Sequence, residues 1–247
     1  MSGLNPGRHA ALRVLMAVEK GAHADERLDA LAPTGGSDRG LAWHIALGVQ
    51  RRRGSLDQAL STRIRGGDLS RLDAPVRAAL RMGLFEIWHS STPPHAAVDQ
   101  AVRGCRSVGA ARASGLVNAV LRRLSGGAPV SHSELPDWLN ARWGEQEAWV
   151  ASLCEPSPLQ GVWNGERRCE LVAEALNLER GTIQLPGGTG RISDLPGFAA
   201  GDWWVMDSGS VRCADSLHDV VAPGSRLLDT CAAPGGKSMR LASLGHQ

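Results

Sequence analysis

The feature that most constrains this chain is a bare turn near its end, Asp229-Thr230-Cys231-Ala232-Ala233-Pro234-Gly235-Gly236-Lys237-Ser238, entered from Leu227-Leu228. A short apolar run ending in an acid reads as a buried strand. After Lys237 the pattern turns helical, with Met239, Leu241, Ala242 and Leu244 apolar. Between the two, alanines, a proline and glycines leave no bulky side chain to fend off a ligand, and Gly235-Gly236 lets the backbone come close to one. Strand, bare loop and helix N-terminus together are how an open α/β sheet holds an anionic or nucleotide-like group. Lys237 sharpens the reading. A cation in a first helical turn opposes the macrodipole by roughly 0.3–1 kcal/mol. The chain has only two lysines against 25 arginines, so this one points to a ligand or a phosphate, the plain alternative being a solvated side chain.

A chain of 247 residues holds one or two domains, with room for part of a third. Its hydrophobic fraction of 43% suits a globular core. No apolar run approaches the roughly 20 residues of a membrane span, and Met1 to Gly7 has no apolar signal region. Five widely spaced cysteines, an odd number, fit reduced thiols and a cytoplasmic location better than a disulfide framework. No Cys/His spacing matches a zinc site, so no metal is expected. The net charge of +2 hides a division: residues 1–125 hold 18 Lys and Arg against 10 Asp and Glu, and residues 126–247 hold 9 against 15. A basic first half suggests a nucleic-acid-facing module, the alternative being a solvated helical surface that uses arginine.

Residues 8–124 read as successive amphipathic helices joined by short loops, an all-α bundle. The first runs from Arg8 to about Lys20 and stops at Gly21; a short helical turn follows through 25–31. Ser37-Asp38 is expected to cap a helix that Arg51-Arg52-Arg53 closes, and Asp73 to cap one with Pro75 in its first turn. Arginines at a helix C-terminus suit the dipole, and they would also contact phosphate. Candidate RNA contacts are Arg8, Arg13, Arg51, Arg52, Arg53, Arg122 and Arg123. His95 and Asn118 are read as structural groups that satisfy buried backbone.

Gly126-Gly127-Ala128-Pro129 reads as a linker, after which tryptophan becomes common. Trp138 and Trp143, on a helix opened by Pro136, read as core, with stacking on RNA bases as the alternative. A strand over 158–164, a helix from Arg168 to Leu176, a short strand from Thr182 to Leu185 and a glycine-rich loop at 187–190 make a small α+β module. A helix from Ser210 to about Val220 leads back to the opening stretch.

Two readings compete for the bare turn. Ala233 to Ser238 nearly completes a P-loop, but Cys231 stands where that motif needs its first glycine. The words D-x-C-A-A-P-G-G-K instead resemble the cofactor motif of RNA cytosine-5 methyltransferases. Pro94 to Val102 and Gly115 to Arg123 look like the signatures of NusB-type helical domains, and Asp38 to Ala42 and Leu80 to Phe85 carry similar words. The resemblance covers essentially the whole chain. It implies a mostly α chain in three parts: a NusB-like, RNA-binding all-α bundle over 1–127, a small α+β linker and RNA-contact module over 128–200, and the incomplete start of a Rossmann-like methyltransferase domain over 201–247. It implies S-adenosylmethionine held by Cys231, Ala232, Ala233, Pro234, Gly235, Gly236 and Lys237, with Cys231 a small buried side chain. It implies small-subunit ribosomal RNA as partner, with no membrane and no second subunit.

Departures from the family's words are also visible. Gly161 and Val162 replace an expected leucine and arginine, and Met206 and Gly209 replace a glutamine and an alanine. The family's ribose-binding acid, Pro-Cys motif and Thr-Cys nucleophile motif are not matched, so no catalytic residue is assigned and the chain alone is expected to be inactive. The alternatives are a stand-alone NusB-like RNA-binding or antitermination module and, with Cys231 against it, a P-loop nucleotidase.

Overall fold

The computed structural model describes residues 3–129, 134–143, 147–170, 176–187 and 191–247. They fall into two compact units, Met1–Glu155 and Pro156–Gln247.

The first unit is helical: α1 (Pro6–Val18), α2 (Ala24–Leu31), α3 (Gly36–Arg51), α4 (Arg53–Ser61), α5 (Ala74–His89), α6 (Pro94–Ser107), α7 (Ser114–Leu124), then the shorter α8 (Asp137–Trp143) and α9 (Glu147–Leu153). α5 is buried almost all round, from Val76 through Leu80, Met82 and Leu84 to Phe85, and the charges it buries, Arg81 and Glu86, are paired. It packs closely on α6 and α7 because Gly83 leaves the space: a Cβ there would lie 2.5 Å from Leu121 and 2.8 Å from Ala101. Two ion-pair groups sit among the helices. Arg8 grips Glu86, which is fully buried, with nitrogen–oxygen distances of 2.7 to 3.1 Å, and Glu19 bonds both Arg77 and Arg81, the latter also holding Asp57.

Local details differ from the sequence-based expectation. α3 starts at Gly36 with Gly35 as N-cap, so Ser37 and Asp38 lie in its first turn; Asp38 instead accepts a 2.7 Å bond from Asn5, the residue that caps α1. The Arg51-Arg52-Arg53 run does close α3, with Arg51 its last residue and Arg52 its C-cap. Arg52 is the kink between α3 and α4, and Arg53 opens α4, because the apolar repeat resumes at Leu56, Ala59 and Leu60. Trp138 is 70% exposed and not core, while Trp143 meets Trp149 edge to face at 5.2 Å.

The second unit is built on a four-stranded antiparallel sheet in the order β2-β3-β1-β4, with β1 Leu159–Trp163, β2 Leu176–Asn177, β3 Thr182–Leu185 and β4 Trp203–Val205. Leu176 is in a strand and residues 167–170 have no regular structure, so the helix expected over 168–176 does not form across its described residues; 171–175 lie outside them, as does most of the 187–190 loop. β4 belongs to the stretch beyond residue 200 and pairs with β1, Gly161 opposite Val205. Alternate side chains face opposite sides of the sheet. Trp163, Ile183, Leu185 and Trp203 pack with Leu195 on one side. Val162, Trp204 and Met206 pack with Val211, Ala214 and Leu241 on the other, beneath α10 (Ser208–His218) and α11 (Gly236–Ser243). Gly161 has a reason in this packing: the Trp203 indole covers it, and a Cβ would fall 2.8 Å from the ring.

Leu227-Leu228-Asp229 is not a strand of this sheet. Leu228 is 87% exposed, and only Leu227 reaches the core under α10 and α11. The segment does make one step of parallel pairing. The Gln247 N–H donates to the Ser225 carbonyl at 3.0 Å, and the Leu227 N–H donates to the Gln247 carbonyl at 2.7 Å, the alternating pattern of a parallel ladder.

Candidate functional site

The turn from Asp229 into α11 is closed by its own acid. One Asp229 oxygen accepts the Cys231 N–H at 3.0 Å and the other accepts the Ser238 hydroxyl at 2.7 Å. These two bonds, with the nearby Lys237 charge, hold the Asp229 carboxyl below the usual aspartate range. Gly235, at φ 108°, is the N-cap of α11, and Met239 N–H returns to its carbonyl at 2.8 Å. That left-handed backbone is open to glycine and strained for other residues. The Ala233–Pro234 peptide is cis. Thr230 through Pro234 are exposed, Cys231 included, so Cys231 is not the small buried side chain the family motif led us to expect. The exposure follows from its place at the crest of the turn, where its N–H faces Asp229 and nothing packs over the thiol.

A cavity of about 540 Å³ lies against this turn, lined by Leu227, Asp229, Cys231, Ala232, Lys237 and Ser238, with Leu241 and Cys213 among its other walls. Of the expected cofactor residues, Cys231, Ala232 and Lys237 border it; Ala233, Pro234, Gly235 and Gly236 shape the turn beside it. Nothing lies within 4 Å of a Cβ built on Gly235, so the backbone there is open to an incoming group.

α11 is anchored by a group that sequence patterning did not single out. Asp215 on α10, 4% exposed, receives Arg240 Nε at 2.8 Å and Nη2 at 3.0 Å. Arg240 also donates to the Arg180 carbonyl at 3.2 Å, and the Arg180 guanidinium stands 3.3 Å from Asp215. Burial alone would raise the Asp215 carboxyl, but Arg240 and Arg180 outweigh it and hold it below its usual range. Nearby, His218 Nδ1 and His246 Nε2 lie 2.9 Å apart.

The arginines expected to face RNA separate into different groups. Arg8 turns inward to Glu86 and leaves the candidate set, because its guanidinium is the counter-charge of a fully buried carboxylate. Arg52 pairs with Glu155, and Arg53 lies 3.6 Å from Asp57. Arg13, Arg122 and Arg123 are exposed and Arg51 is half-buried; among the described residues none of the four has an ion-pair partner. His95 is exposed, and among the described residues it bonds no buried backbone. It lines a hollow between α6 and α7 with Asn118, so neither has the structural role expected of it.

Residues 5–125 match the model of the NusB family. These residues are a NusB-family domain. The chain as a whole is related to proteins named ribosomal RNA small subunit methyltransferase B. It is 34% identical to the one from Xanthomonas campestris over 95% of this chain and 58% of the relative. It is 34% identical to the one from Pseudomonas putida over 96% and 60%. The chain thus spans about three fifths of the length of these relatives. The crystal structure of PH0851 has the same fold over 99% of this chain and 62% of its own, with a TM-score of 0.62 at 18% identity.

Within the NusB-family domain, Cys105 is buried with its thiol against the Ala110 carbonyl. Burial pushes the Cys105, Cys154 and Cys169 thiols above their usual range, the opposite of what a thiolate nucleophile needs. No group of three or more potential metal ligands occurs among the described residues. No helix among them is long and apolar enough to cross a membrane.

Proposed function

We propose that this chain is the RNA-binding and donor-binding part of an S-adenosylmethionine-dependent methyltransferase that modifies carbon 5 of a cytosine in small-subunit ribosomal RNA. The NusB-family domain and the 128–200 module hold the RNA, and residues 201–247 carry the donor loop. The carrying observation is the Asp229-locked turn with its bare crest and 540 Å³ cavity. Relatives named as ribosomal RNA methyltransferases support the reaction class.

The residues present fit the donor. Small side chains and the open backbone at Gly235 admit a close ligand, and Leu227 and Leu241 offer apolar walls. The bound donor supplies an electrophilic methyl group on a sulfonium. This chain's residues bind and orient it: Asp229 keeps the turn closed, and the Asp215–Arg240 pair keeps α11 in place. No cysteine here is assigned as the nucleophile, so methyl transfer by the chain alone is expected to be absent. A P-loop reading is disfavoured because Cys231 has no left-handed backbone angle; Arg180 alone does among described non-glycine residues.

Titration calorimetry with S-adenosylmethionine and, separately, with ATP tests the site. Heat from the first and none from the second is expected; the reverse would establish a nucleotidase. Incubating the chain with labelled donor and small-subunit RNA tests for transfer, and turnover would overturn the inactivity claim. RNA binding with no donor binding would favour a stand-alone NusB-like module.

A further inference from the structure

The NusB-family domain pairs most of its inner arginines with carboxylates, and among the arginines left without an ion-pair partner in the described residues three converge on one hollow. Arg63 and Arg65, just past the end of α4, share a shallow hollow with Arg123 on the last turn of α7. All three are exposed, and among the described residues their side chains have neither an ion-pair nor a hydrogen-bond partner. Arg122 beside them is in the same state. The two helix ends supply roughly half a negative charge each, which leaves converging guanidiniums still in excess. Such a patch calls for a polyanion.

α7 carries a second feature on its adjacent face. Asn118 and Arg122, one turn apart, look across a hollow to His95 on α6, over an apolar floor of Val98 and Val102. Asp99, at the rim, is occupied by Arg103 at 2.7 Å and leaves the hollow without a free negative charge. An amide that both donates and accepts, beside an apolar floor, suits the edge and face of a nucleobase. A base stacked within a duplex cannot enter such a hollow; an unstacked one can.

We propose that the C-terminal turn of α7 is a single-stranded RNA site: Arg63, Arg65 and Arg123 hold backbone phosphates, and the α6–α7 hollow takes one unstacked base against His95 and Asn118. This rests on the RNA reading of the NusB-family domain and names where and in what form the RNA sits. The site differs from the Arg51–Arg53 run, in which Arg52 and Arg53 already have acidic partners.

Fluorescence anisotropy of the full chain with a short single-stranded RNA, and with the same strand annealed to its complement, tests it across a salt series. Replacing Arg63, Arg65 and Arg123 by alanine should lower the slope of log K against log salt by about 2, since each single-strand phosphate contact contributes about 0.7. Removing Lys20, Arg27 and Arg212, an equal charge loss elsewhere, should leave the slope within about 0.5 of the parent. Asn118→Leu should keep the slope and cut single-strand affinity about tenfold, with duplex binding unaffected. Thermal melts confirm that each variant is folded, and Asn118→Ser replaces Asn118→Leu if the latter is not. Equal slope losses in the two triple variants, or equal affinity for duplex and single strand, would overturn the site while leaving RNA binding intact. No binding of either RNA by the parent chain would instead overturn the RNA reading itself.

Discussion

Replacing Asp215 by alanine isolates how the donor loop is held. In the native chain the Arg240 guanidinium, on a residue only 8% exposed, is matched by two short bonds to Asp215 at 2.8 and 3.0 Å. The substitution leaves it with the Arg180 carbonyl at 3.2 Å. Removing one member of a buried pair costs about 3–5 kcal/mol, chiefly because the survivor is buried without its counter-charge. With one carbonyl bond remaining, the lower end applies, about 3 kcal/mol, which is a factor of roughly a hundred in the local opening equilibrium. Amide hydrogen exchange reads this directly, since helices open locally with their own free energies. Amides of α11 should exchange about a hundredfold faster, and those of α5 should be unchanged. The double substitution Asp215→Leu with Arg240→Met should recover most of the loss, because apolar side chains of similar volume often replace a buried pair at little cost. A single variant less than fivefold faster, or a double variant as fast as the single, would refute the charge argument and leave packing as the cause. Acid should act like the substitution. The native Asp215 carboxyl lies below its unfolded value of about 3.9, so the unfolded state binds the proton first. The stabilisation is therefore complete above that value and is lost as pH falls through the native one.

Glu86→Ala should lower the stability of the NusB-family domain by about 3 kcal/mol, read by urea denaturation, because it leaves the partly buried Arg8 guanidinium without its carboxylate. Glu19 gives that domain its own acid sensitivity. Burial would raise its carboxyl, but Arg77 and Arg81 hold it below the usual range, so the melting temperature should be flat near neutrality and fall as pH drops below about 4; a rise on acidification would contradict this. Gly161→Leu, which restores the residue expected from the family's words, should destabilise the sheet by about 1–3 kcal/mol, because the Trp203 ring fills the space. Pairing it with Trp203→Val should relieve most of that loss. Gly235→Ala should cost roughly 1–2 kcal/mol from its backbone angle and weaken donor binding in calorimetry, since the strain acts where the turn meets α11.

Much of this architecture was legible in the residues. Apolar repeats such as Val76-Leu80-Leu84 located α5, Pro136 located α8, and the bare turn ahead of α11 stood out because few combinations of side chains leave a backbone so open. What periodicity missed was short or non-local. α4 has no counterpart in the expected pattern, because the arginine run ends α3 and only Leu56, Ala59 and Leu60 mark the short helix that follows. The 168–176 stretch has a helical composition, yet Leu176 and Asn177 follow the hydrogen bonds offered by β3, so tertiary pairing overrides local preference. Among the described residues the expected strand at Leu227-Leu228 has one step of backbone pairing, with Gln247, and no ladder forms.

The candidate site divides in the same way. Its chemistry is local in sequence: Asp229 reaches Cys231 and Ser238 within nine residues, so the words of the motif already contain the lock. The roles of the arginines are not local. Arg8 meets Glu86 across 78 positions and Arg240 meets Asp215 across 25, while Arg63 and Arg65 meet Arg123 with no acid between them. A sequence states that a residue is charged, because ionisation is a property of the side chain. Whether the charge is neutralised inside or left for a partner outside depends on which groups folding brings within a few ångströms, and only the tertiary structure decides that.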